Sequence, residues 1–93
     1  MEAREEQLAH LERLVQALDP DGFTAEIIGA FSSPYLKVAN ASAPSLNERI
    51  YCGRAEDGTW LFRWPWHQPI GSVDDLEKVA DKVTEVLRSV GKP

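Results

Sequence analysis

Apolar positions change their spacing twice along this chain. Leu8, Leu11, Leu14, Val15 and Leu18 recur at intervals of three and four, the single stripe of an amphipathic helix expected over residues 3–18. Glu2, Glu5 and Glu6 crowd its start, where acids suit the helix dipole. Asp19-Pro20-Asp21-Gly22 ends it, because the residue before a proline avoids the α region and Gly22 permits a turn. Leu76, Val79, Ala80, Val83, Val86, Leu87 and Val90 give a second helix, expected over 72–90, one continuous apolar face. Ser72 stands as its N-cap, Asp74 and Asp75 lie in its first turn, and Gly91 then Pro93 mark its end.

Between the helices the period is two. Phe23–Ile28, Tyr35–Asn40, Glu48–Arg54 and Thr59–Trp64 are rich in β-branched and aromatic residues and read as four strands. Short separators make consecutive strands antiparallel neighbours. Alternation assigns Phe23, Ala25, Ile27, Leu36, Val38, Ile50, Cys52, Trp60, Phe62 and Trp64 to a core face beneath the helices. Thr24, Glu26, Ile28, Tyr35, Lys37, Ala39, Arg49, Tyr51, Gly53, Leu61 and Arg63 fall on the other face. The last hairpin tests this division. A two-residue Asp57-Gly58 turn would set Cys52 beside Arg63 and mix the faces. A three-residue loop, Glu56-Asp57-Gly58, pairs Cys52 with Phe62 and Tyr51 with Arg63, with Gly58 in the left-handed region. The expected fold is therefore α+β, α-β-β-β-β-α: a four-stranded antiparallel meander with both helices packed on one face, forming a single domain over 1–93.

Composition sharpens this reading. With 43% hydrophobic residues the chain is too apolar for intrinsic disorder. No apolar run approaches the ~20 residues of a membrane span. The acidic N-terminus lacks the apolar stretch of a secretory signal, and a lone Cys forms no internal disulfide, so a cytoplasmic location is expected. The net charge of −5 is uneven: residues 1–22 carry six acids against two bases, whereas residues 23–66 carry four of each. An acidic chain opposes non-specific contact with nucleic acid or an anionic membrane, yet its middle is locally balanced.

Candidate chemistry is sparse. The two histidines, His10 and His67, lie far apart, and Cys52 is expected in the core, where a thiol behaves as a small hydrophobe. No phosphate-binding glycine loop, serine elbow or HExxH pattern occurs. No catalytic residue, metal or cofactor is expected. The outer face is richer: Tyr35, Lys37, Arg49, Tyr51, Leu61 and Arg63 combine aromatic, basic and apolar groups. Such a face suits a protein interface. It equally suits an ordinary solvated surface, and Tyr–basic alternation on a sheet also serves for stacking bases and neutralising phosphates. Trp64-Pro65-Trp66-His67-Gln68-Pro69-Ile70-Gly71 reads either as an aromatic ledge or as a strap whose Trp66 and Ile70 close the core.

The run Asp57-Gly58-Thr59-Trp60-Leu61-Phe62-Arg63-Trp64-Pro65-Trp66 resembles a motif of small uncharacterised actinobacterial proteins with a helix, four strands and a helix. The resemblance covers mainly residues 48–90 and implies no activity. By analogy of architecture the chain is also similar to small chaperone-type and adaptor domains. The expectation is a non-catalytic interaction domain, a regulatory accessory or adaptor protein. Tyr35, Lys37, Arg49, Tyr51, Leu61, Arg63, Trp64 and Trp66 would meet a protein partner or a second copy. Nucleic-acid or small-ligand binding on the same face is the alternative.

Overall fold

The computed structural model describes residues 3–30 and 32–89. Its elements run α1 (Ala3–Ala17), β1 (Phe23–Ile28), β2 (Tyr35–Asn40), β3 (Asn47–Arg54), β4 (Trp60–Arg63), β5 (Pro69–Ser72) and α2 (Leu76–Ser89). The strands form one antiparallel sheet in the order β1-β2-β3-β4-β5. The α+β class and the meander stand, with five strands in place of the expected four.

The fifth strand is the correction. Pro69 and Gly71 signal interruption, but a proline is tolerated at the first residue of an edge strand, where its missing N–H breaks no ladder bond. Leu61 pairs with Ser72, Phe62 with Gly71 and Arg63 with Pro69, so Ile70 is the extra residue of a bulge. Ile70 is buried, and a Cβ on Gly71 would lie 3.0 Å from Val79 Cγ2, so the bulge turns two adjacent residues toward α2. Sheet pairing also delays α2. The Val73 amide donates to the Trp60 carbonyl (3.2 Å), and the first helical turn closes from the Val79 amide to Asp75 (3.0 Å). Asp75, not Ser72, therefore stands at the N-cap, and the Ser72 hydroxyl instead accepts from the Asp74 amide (3.2 Å). Val90, Gly91 and Pro93 lie outside the described residues.

One buried cluster unites Leu11, Leu14 and Leu18 of α1, Val79, Val83 and Leu87 of α2, and Phe23, Leu36, Val38, Ile50, Cys52 and Phe62 of the sheet. Two polar ties fix the layers. Gln7 Nε2 donates to the Cys52 carbonyl (2.9 Å), and Lys82 Nζ donates to the Ile70 carbonyl (2.8 Å). The three-residue hairpin loop is present: the Ala55 amide donates to Thr59 (2.8 Å), and Cys52 pairs with Phe62.

His10 packs beside Trp60, with ring centroids 5.3 Å apart, and its Nδ1 is buried without a partner. Burial first, and then the Arg13 charge, lower its pKa below the ordinary 6.5. The unfolded chain therefore takes up a proton at a pH where folded His10 resists it, and stability falls as pH drops below that value. The urea midpoint should decline from about pH 7 to about pH 5.5, and His10→Gln should flatten that decline. An unchanged slope in the variant would assign the effect to other groups.

Candidate functional site

The strand residues that point away from the buried cluster gather aromatic and basic groups. Glu26, Lys37 and Arg49 line up across β1, β2 and β3, and Tyr51 of β3 stands opposite Arg63 of β4. The rings of Tyr35 and Tyr51 meet at 5.5 Å. Arg49 reaches over Tyr35, its guanidinium carbon 5.5 Å from the ring centroid. A side-chain hydrogen bond to Tyr51, and then the neighbouring Tyr35, raise the Arg49 pKa above its usual value. Lys37 sits directly opposite Arg49, a like-charge cross-strand pair that disfavours the sheet by itself. Among the described residues, neither Lys37, Arg49 nor Arg63 has a carboxylate oxygen within ion-pair distance.

Of the eight residues expected to meet a partner, Tyr35, Lys37, Arg49, Tyr51, Leu61 and Arg63 share this surface. Lys37 and Arg49 are exposed and the other four half-buried. The tryptophans behave differently. Trp64 is buried in the core cluster, whereas Trp66 is 53% exposed and stacks on it, with rings 5.4 Å apart and nearly parallel. Trp66 therefore does not close the core, as the strap reading required. Its indole N–H donates to Gln68 Oε1 (2.9 Å), which holds the ring against Trp64.

A depression that no residue pattern announces lies at the end of this surface. It has a volume of about 340 Å³ and lies among Tyr51, Gly53, Arg63, Pro65 and His67. Gly53 leaves it open, since a Cβ there would touch nothing within 4 Å. Arg63 Nε is buried and unpartnered, and its guanidinium makes one long contact to the Arg54 carbonyl (3.5 Å). His67 comes from a turn that repeats the preceding hairpin. The Trp64 amide donates to Gln68 (3.0 Å) and the His67 amide to Trp64 (2.9 Å), as the Ala55 amide donates to Thr59 and the Gly58 amide to Ala55. The third loop residue has positive φ in both: Gly58 at 88° and His67 at 69°. Without a glycine at that position, nothing in the sequence marks the second loop as a hairpin.

Cys52 is buried, and desolvation pushes its thiol pKa up to about 12. Its thiolate is disfavoured at neutral pH. Among the described residues no group of three or more His, Cys, Asp or Glu could hold a metal ion. Among those residues no helix is long and apolar enough to cross a membrane. Comparisons with protein-family models, curated protein sequences and solved structures gave no match.

Two measurements check this geometry. A thiol reagent should label Cys52 far more slowly in the folded chain than in urea; fast labelling of the native state would remove Cys52 from the core. The two loop positions should answer oppositely to substitution. Gly58→Val should destabilise the fold by about 1–2 kcal/mol, because a β-branched side chain is strained at positive φ. His67→Gly should stabilise by up to about 1 kcal/mol by relieving that same strain. Equal responses at both positions would mean that the loops are not equivalent.

Proposed function

We propose that this chain is a non-catalytic binding module whose open sheet surface takes an acidic segment of another protein. Both helices cover one face of the sheet and leave the opposite face to water or a partner. The observation that carries the reading is the set of cations on that face, Lys37, Arg49 and Arg63, around the Tyr35–Tyr51 pair, with Glu26 the one acid of that face among the described strand residues. A partner carboxylate would relieve the Lys37–Arg49 repulsion, and the tyrosines would supply contact area of the kind enriched at interfaces.

Nucleic acid is the second reading, since the same groups could stack bases and bind phosphate. It is disfavoured because the chain as a whole carries −5 and would repel a long polyanion beyond the local patch. Self-association through matching faces meets the same obstacle, as three cations would confront their own copies.

Titration with a fluorescent peptide of alternating Glu and Phe, against a labelled ten-nucleotide thymidine strand, separates the readings. The peptide should bind, and Lys37→Glu with Arg49→Glu should weaken it by at least about tenfold, or about 1.4 kcal/mol. The oligonucleotide should not bind at physiological salt. Tighter binding of the oligonucleotide, with affinity falling steeply as salt rises, would replace the protein-partner reading with the nucleic-acid one.

A further inference from the structure

We propose that the depression between Tyr51, Gly53, Arg63, Pro65 and His67 is a binding subsite for a monocarboxylate with a compact apolar body. It shares Arg63 and Tyr51 with the acidic-segment surface but not Lys37 or Arg49, so the two readings can fail separately. Four observations converge on this chemistry. The space, about 340 Å³, lies within the range of small-molecule sites. No acid lines it, and its cation is Arg63, whose planar fork matches the two oxygens of a carboxylate. That guanidinium is under-used: its one contact, to the Arg54 carbonyl, is 3.5 Å long. The walls, to which Tyr51, Cys52, Trp64 and Pro65 contribute, are more apolar than polar, which suits an aryl or branched body rather than a bare inorganic anion.

His67 supports the assignment from a different direction. Its backbone holds the position that Gly58 holds in the preceding loop, where an imidazole is conformationally less comfortable than glycine. His67 lines the depression together with Arg63. Gly53 completes the arrangement, because it lines the depression and a Cβ there would stand in open space. A valine there meets no neighbouring atom near its Cβ and favours a strand, so it narrows the depression at little cost to the fold.

Benzoate is the probe, with benzamide as its neutral isostere, followed on the full chain by amide chemical shifts. Benzoate should move the amides of Gly53, Arg63 and His67, and benzamide should not. Gly53→Val should abolish the shifts while thermal stability holds, and Arg63→Gln should weaken binding by at least about tenfold. His67→Gly should weaken binding while raising the melting temperature, a combination that a purely structural role would not produce. A short peptide ending in Phe, with its C-terminus free or amidated, distinguishes the sources. Tighter binding of the free-acid peptide than of benzoate assigns a protein terminus, and weaker binding assigns a free small acid. The subsite is overturned if benzamide binds as well as benzoate, or if the benzoate shifts survive Gly53→Val and spread to Lys37 and Arg49. Loss of the acidic peptide with benzoate binding intact would sink the interface reading and leave the subsite standing.

Discussion

The pairing of Cys52 with Phe62 sets the phase of everything around it. With those two residues inward, Ile50 joins them in the core, and Arg49, Tyr51, Gly53, Leu61 and Arg63 must point the other way. A slip of one residue would bring Arg63 beside Cys52 and put a guanidinium into the apolar cluster. Burying an unpaired charge costs far more than any turn geometry can return. The three-residue loop from Ala55 to Thr59 is therefore imposed by the faces it connects, and Gly58 at φ 88° is the local consequence.

The same constraint reaches the far edge through β5. Its bulge directs Ile70 into the core and Gly71 against Val79, so α2 packs close to the sheet just where the strand is shortest. The bond from Lys82 to the Ile70 carbonyl adds a polar tie to that packing. An edge strand of four residues would be weakly held by its ladder alone; here a helix secures it. The turn before β5 is fixed in consequence, and that turn carries Pro65, Trp66 and His67. The depression on one side of the sheet thus owes its rim to packing on the other.

Helix and strand periodicity made most of this fold legible. β1 and β2 match their expected limits, β3 and β4 differ by a residue at their ends, and the division of faces follows from alternation. β5 was not legible, because a proline and a glycine within four residues signal interruption, and only the bulge shows how the ladder accommodates both. Trp66 was ambiguous for a related reason. A large aromatic in a small protein is usually needed in the core, but Trp64 already fills that place and Trp66 stacks outside it. The tyrosines and cations of the candidate site were found by alternation alone. Alternation also places Gly53 on that face, but the depression it shares with His67 is not legible, since one contributes an absence of atoms and the other a backbone angle that no residue pattern announces.

Electrostatics links the two halves of the molecule. The acids of this chain concentrate in α1, the loops and α2, while the sheet surface beyond the core holds Lys37, Arg49 and Arg63 against Glu26. Part of that positive charge is met internally, as the ring of Tyr35 lies beneath Arg49 and the hydroxyl of Tyr51 accepts from it. Arg63 receives less, with a buried Nε unpaired and one long contact to a carbonyl. Arg54, by contrast, lies 3.9 Å from Glu6 and 5.0 Å from the Trp60 ring, on the parity that faces α1. Arg54 thus has a carboxylate near it, whereas Lys37, Arg49 and Arg63 have none within ion-pair distance among the described residues. A sheet can bear exposed, unpaired cations at little cost in water, since solvent screens them. A partner that excludes that water must bring its own negative charge, so the uncompensated cations restrict what can cover this surface even before any contact is made.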